Sequence, residues 1–351
     1  MRTRKCICMQ VQVKFDQVGN PGEFARVMGY PQRDCSTAGL SLWLRLLCSM
    51  QFKSMLPDRP SSTALLIARS IVLAERHPRW RRLVPQGAIE PLARMLAVAG
   101  PSRTFSFLLR REWGRTLLAR IEPIVLPGII LHYLARKRWL ENVVVVALQS
   151  GCEQVVVLGA GFDTLAWRLH RAWPKTLFVE LDHPGTQTGK TTALSSLVPG
   201  GNLRFLPCDL GRELPSVCLG RLPEFDSRRR TCFVAEGLLM YFTLDRVTRI
   251  LGDLAHVATD SILAFTFMER GPHGQAAFRG RQSWIDAWLK LCREPFAWAV
   301  APAELDSFLR PLNKWGVKSL VGADELRREI LVPADLADAR LAVGEWLCAA
   351  S

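Results

Sequence analysis

The chain has 351 residues, 49% of them apolar, and carries 46 Lys and Arg against 32 Asp and Glu, a formal net charge of +14. That is enough apolar chain for a sizeable core, which excludes a disordered tail, and no uncharged apolar run approaches the roughly 18 residues of a membrane helix. The charge is lopsided: residues 1–140 hold 23 basic against 8 acidic side chains, and the remainder 23 against 24. The arginines of the basic part are interleaved with apolar residues, as in RRLVPQGAIEPLARML. This is the pattern of solvated helix faces, and no recognition motif accompanies it, so nucleic acid is not an expected partner.

Residues 1–54 hold scattered glycines, polar stretches and one short apolar run, GLSLWLRLLCSM. They are expected to be a poorly ordered extension, or to stem from an upstream translation start with Met55 the natural beginning. Arg2, Arg4 and Lys5 are followed by a stretch, Cys6 to Val13, too short and polar for a signal peptide. The ten cysteines are scattered, with Cys6 and Cys8 the one close pair. The six histidines supply no partners at metal-binding spacing, so no metal is expected. The cysteines are expected to be free thiols in a reducing cytoplasm, with Cys208, Cys232 and Cys292 acting as small apolar residues.

From Ser61 to Ala74 apolar residues recur at helical spacing, with Ser61, Ser62 or Thr63 available as the cap. Further helices are predicted around Ala88 to Ala99 and Pro127 to Ser150, and residues 55–140 together are expected to form a helical cap. Beyond residue 141 the period changes. Short β-rich runs at 154–158, 176–181, 203–207, 232–235 and 262–267 alternate with helical stretches, which predicts an α/β domain over 141–351 with a parallel sheet covered on both faces.

Within it, VVVLGAGFDTLAWRLHRAWPKTLFVELD reads as an apolar strand, a glycine turn, an amphipathic helix and a second strand ending on two carboxylates. Gly159 and Gly161, on either side of Ala160, permit a sharp turn and close approach of a ligand. A helix starting near Phe162 would aim free N–H groups at it. Glu180 and Asp182 stand where a carboxylate accepts the hydroxyls of an adenosine ribose, and strand alternation lets both face the crevice. Thr164 holds the place of the third small residue that a dinucleotide fold prefers, so the turn fits S-adenosylmethionine better than NAD.

The blocks QVVVLGAGFDTLAWRL, FVELDHPGTQTGK, FLPCDL and FVAEGLLMYF, in that order, resemble the leucine carboxyl methyltransferase family of S-adenosylmethionine-dependent enzymes. The upstream HYLARKRWLE and PSSTALLIARSIVLAE resemble its lead-in, and the likeness runs through most of residues 55–351. The resemblance implies a Rossmann-like class I methyltransferase fold, with a mostly parallel seven-stranded sheet and an N-terminal helical cap. It implies that Arg136 grips the cofactor carboxylate, with Lys137 and Arg138 adjacent, and that Asp209 and Leu210 read the adenine. Glu236 and Gly237 would meet the methionine end, and Tyr241, beside Met240, would line the methyl-transfer chamber. Asp163 reads as a structural residue at the helix start.

The reaction so implied is O-methylation of a carboxyl or hydroxyl group on a small molecule or protein terminus. A carboxylate acceptor needs no general base, whereas a hydroxyl does. His183 is nearest by position, but in DHP it reads as a turn residue, so no base is named. Residues 269–300 form an insert expected to shape the acceptor pocket, with Trp284, Trp288 and Trp298 packing it. Two other readings are an NAD-dependent oxidoreductase and a non-catalytic cofactor-binding domain of the same fold.

Overall fold

Five parallel strands lie side by side because their sequences are predominantly apolar and a helix after each of the first four carries the chain back to start the next. The computed structural model describes residues 61–99, 111, 114, 126–197, 200–272, 274–279, 289, 292, 294–312 and 315–351. These belong to the larger of two compact units, 53–101 with 108–351; the other, 1–52 with 102–107, lies outside the described residues. The expectations for residues 1–54, Met55, Trp284 and Trp288 therefore also lie outside them.

In chain order the elements are α1 Ser62–Glu75, α2 Ile89–Val98, α3 Ile129–Gln149, β1 Gln154–Leu158, α4 Leu165–Leu169, β2 Leu177–Asp182, α5 Pro184–Leu194 and β3 Leu203–Pro207. There follow α6 Pro215–Leu219, β4 Thr231–Ala235, α7 Leu244–Val257, β5 Ser261–Glu269, β6 Ala299–Val300, α8 Leu305–Leu309, β7 Val317–Val321, α9 Ala323–Leu326 and β8 Glu345–Ala350. The sheet order is β3-β2-β1-β4-β5-β8-β7, with β6 pairing β5 off that path. β8 runs antiparallel to both neighbours, and the other pairings are parallel. The expected seven strands become eight through the two-residue β6, which a sequence window cannot resolve as a strand.

Val156, Leu158, Val179, Leu181, Phe233, Leu263, Phe265 and Phe267 face α7, whose Val247, Ile250, Leu251 and Leu254 are buried against them. The alternate strand positions face the other way, where α3 packs on β4 and β5. Ser61 caps α1 by accepting from the Ala64 N–H at 3.1 Å. α1 packs on α2 and α3, and α2 on α5. The boundary expected at residue 140 falls inside α3, which runs unbroken to Gln149.

Two expectations are corrected. Cys208 and Cys218 form a disulfide, with Cα atoms 6.1 Å apart, whereas Cys152, Cys232, Cys292 and Cys348 are buried free thiols. Cys218 lies on α6, which packs against β3, and spacing alone could not show that this packing brings it to Cys208. The helix after the glycine turn begins at Leu165 rather than Phe162 and has only five residues, because residues 159–164 are spent on the turn.

Among the described residues no helix is long and apolar enough to cross a membrane, and no group of three or more His, Cys, Asp or Glu side chains could hold a metal ion.

Candidate functional site

The chain leaves β1 toward β2 and β3, then returns to place β4 on the opposite side of β1. Such a reversal opens a crevice beyond the carboxyl ends of the strands. Gly159 follows β1, Asp182 ends β2, Asp209 lies just past β3, and Glu236 and Gly237 follow β4. Four adjacent strands thus deliver these residues to one edge.

Gly159 and Gly161 both take left-handed φ values, 58° and 49°. A Cβ on Gly159 would stand 2.4 Å from Leu238 Cδ1. Gly159→Ala is therefore expected to cost about 1–3 kcal/mol through backbone strain and displacement of Leu238, measured by urea denaturation. Three N–H groups of this turn are already engaged. Ala160 donates to Leu181 O at 3.3 Å, Asp163 to Ala160 O at 2.8 Å, and Gly161 to Asp182 Oδ2 at 2.5 Å. Asp182 Oδ1 also accepts the His183 N–H at 2.6 Å, so this carboxylate braces the turn. Burial raises its pKa against the pull of these donors.

Glu180 shares the face of Asp182 but points into the interior. Its Oε2 lies 2.5 Å from Lys190 Nζ, and the two side chains are 1% and 0% exposed. Burial pushes its carboxyl up to about 7, opposed by Lys190. Lys190 also donates to Asp163 O at 2.6 Å, so Glu180 and Lys190 hold the turn from beneath. Asp209 accepts the Gly211 N–H at 2.9 Å and lies 3.4 Å from Arg212, an exposed side chain. Leu210 is buried in the core.

At the β4 end stands an ionic cluster. Arg136 Nε donates to Glu236 Oε1 at 3.0 Å, and its Nη1 lies 2.9 Å from both oxygens of Glu345. Lys137 donates to Asp163 Oδ1 at 2.8 Å and Glu236 Oε2 at 3.1 Å. Burial alone would lower the Lys137 pKa, but Asp163 and Glu236 raise it; burial likewise opposes ionised Asp163, which Lys137 holds well below its ordinary range. Arg138 points elsewhere, 3.7 Å from Glu141. The Gly237 N–H donates to Thr266 Oγ1 at 2.9 Å, and its Cα faces the Arg136 guanidinium, 3.4 Å from where a Cβ would sit.

Tyr241 packs on Phe296, with ring centroids 5.5 Å apart. Burial, aided by Glu294, raises its hydroxyl pKa, while a hydrogen bond with Thr63 lowers it. Glu294 accepts the Ser62 and Thr63 N–H groups, each at 3.0 Å, tying the segment after β5 to the start of α1. Met240 is core, and Trp298 packs between Phe267 and Phe308. His183 caps α5, its Nδ1 accepting from Gly185 N at 3.3 Å.

Motif reading keeps Lys137 as the neighbour to which the Arg136 assignment could slip by one, and passes over Lys190, Glu294 and Glu345. Lys190 sits eight residues past the ELD motif, on the α5 face turned inward. The other partnerships span up to 232 residues and leave no local signal.

This sheet order, with its one antiparallel strand and its edge of acidic residues, is that of a Rossmann-like class I methyltransferase. A solved structure of a DUF574-family protein from Streptomyces avermitilis covers 71% of this chain and 95% of its own, at TM-score 0.50 and 14% identity, a likeness of fold alone. The family model for leucine carboxyl methyltransferase matches residues 74–255, and the chain belongs to that family. A Mycobacterium tuberculosis relative, named for S-adenosyl-L-methionine-dependent methyltransferase activity, is 28% identical over 222 residues, 62% of this chain and 68% of its own length. A Mycobacterium marinum relative of like name is 29% identical over 211 residues, 59% of this chain and 66% of its own.

Proposed function

We propose that this chain transfers a methyl group from S-adenosyl-L-methionine to an oxygen of a carboxyl or hydroxyl acceptor. The observation that carries the reading is the delivery of Gly159, Asp182, Asp209 and Glu236 to one edge of four adjacent strands. The donor set fits the cofactor. Arg136 and Lys137 face three carboxylates, Asp163, Glu236 and Glu345, and this acidic excess complements a ligand with an ammonium and a sulfonium but one carboxylate.

When bound, the cofactor supplies an activated methyl group, so the protein's work is positioning and exclusion of water. Asp182 takes the ribose hydroxyls, since Glu180 is committed to Lys190. Asp209 and Leu210 border the adenine. Gly159, Ala160 and Gly161 let the ligand lie against the backbone. Glu236 and Gly237 receive the amino acid end, and its carboxylate falls to Lys137, whose ammonium has three donors and two carboxylate partners, with Arg136 behind it. Tyr241 borders the acceptor. The acceptor is a small molecule or a protein terminus.

Calorimetry with S-adenosylhomocysteine tests the reading, and no binding would overturn it. Asp209→Ala is expected to weaken that binding by about 1–3 kcal/mol. Unchanged affinity would remove Asp209 from the adenine site.

A further inference from the structure

His132 and Arg136 lie one turn apart on α3 and converge on Glu345 of β8. His132 Nε2 is 2.8 Å from Glu345 Oε2, and both side chains are at most 1% exposed. Burial would raise the Glu345 carboxyl, but Arg136, followed by His132, holds it down to about 2. At neutral pH it can therefore only accept. In its neutral form the imidazole therefore carries its proton on Nε2, facing this carboxylate, which leaves Nδ1 as a lone pair. That Nδ1 is buried and has no hydrogen-bond partner among the described residues. A buried acceptor without a donor is destabilising, and a donor arriving with a ligand would satisfy it.

The surroundings show what such a ligand would be. Ring contacts run in a row from His132 to Phe278 at 5.6 Å, Phe278 to Phe296 at 6.4 Å, and Phe296 to Tyr241 at 5.5 Å. Leu126, Met240, Met268 and Ala342 complete an apolar surround. Among the described residues, the charged and titratable groups beside His132 are Glu345 from β8 and Arg136 and Tyr133 from α3, and Thr266 of β5 bonds to Glu345.

We propose that His132 is the general base for an aromatic hydroxyl acceptor, with Glu345 the positioning residue that fixes its tautomer. This rests on the methyl-transfer reading and narrows its acceptor to a phenol-like alcohol. Nδ1 takes the acceptor proton, and the freed oxygen pair forms the new bond to the methyl carbon. The carbon–sulfur bond breaks with its electron pair left on sulfur. Glu345 pairs the resulting imidazolium, which returns its proton to solvent as product leaves.

The test uses protein with isotope-labelled imidazole nitrogens, with His132→Gln to assign the His132 signals. Glutamine keeps an N–H for Glu345 and removes the basic lone pair. Near neutral pH, without cofactor, NMR should show Nε2 protonated and Nδ1 bare. With S-adenosylhomocysteine bound, p-cresol should shift the Nδ1 resonance saturably. H132Q should leave S-adenosylhomocysteine affinity unchanged and slow labelled-methyl transfer to p-cresol by about 10²–10⁴-fold. A protonated Nδ1, a resonance p-cresol does not move, or full transfer by H132Q would each overturn the proposal. Failure to bind S-adenosylhomocysteine would instead remove the underlying reading, while the tautomer remains readable without any cofactor.

Discussion

Glu345→Ala is expected to destabilise the fold by about 3–5 kcal/mol, the scale for removing one partner of a buried ion pair. The variant leaves the Arg136 guanidinium, 4% exposed, with Glu236 alone, and strips His132 of its acceptor. Denaturant unfolding measures the loss. The pH dependence should carry a signature. The folded pKa of Glu345 lies near 2, below its ordinary 4.5, so its contribution is present above pH 4.5 and is lost as pH falls toward 2. The native protein should weaken over that window, and the variant should lack this part of the slope. A variant as stable as the native chain would contradict the paired cluster.

Asp182→Ala is expected to weaken cofactor binding by two routes at once. Its carboxylate braces Gly161 and His183 through two short N–H contacts, 2.5 and 2.6 Å, at the point where the ribose is placed. Truncation removes both the ribose acceptor and the brace of the glycine turn. S-adenosylhomocysteine binding should weaken by about 1–3 kcal/mol, or roughly 5- to 150-fold, in calorimetry. Asp182→Asn keeps an acceptor oxygen and should lose less. If the alanine variant binds as tightly as the native protein, the ribose lies elsewhere.

Much of this architecture could be read locally. The β1 and β3 limits agree with the apolar-rich runs at 154–158 and 203–207, because strands inside a parallel sheet covered on both faces are predominantly apolar. The acidic strand ends could be found for a related reason: a carboxylate at the edge of an apolar run has little structural cause to be there. Tertiary commitments were not legible. Glu180 and Asp182 look equivalent in ELD, yet a lysine one helix later claims the first. Arg136 stands in a recognisable motif, but its stronger partner lies 209 residues downstream in a strand without any motif. The Gly161 N–H, which the pattern offers to a ligand, is likewise taken up by Asp182, since a sequence pattern shows donors and not who accepts from them.

The late position of Glu345 bears on how the protein is made. A ribosome adding about 5–20 residues per second delivers Arg136 roughly 10–40 s before the glutamate that will neutralise it, 209 residues further on. Until then the nascent α3 carries an arginine and a histidine that cannot be buried cheaply. The central strands can pair in that interval, but the ligand crevice cannot be sealed. Its completion waits on a strand made 209 residues after the helix it neutralises.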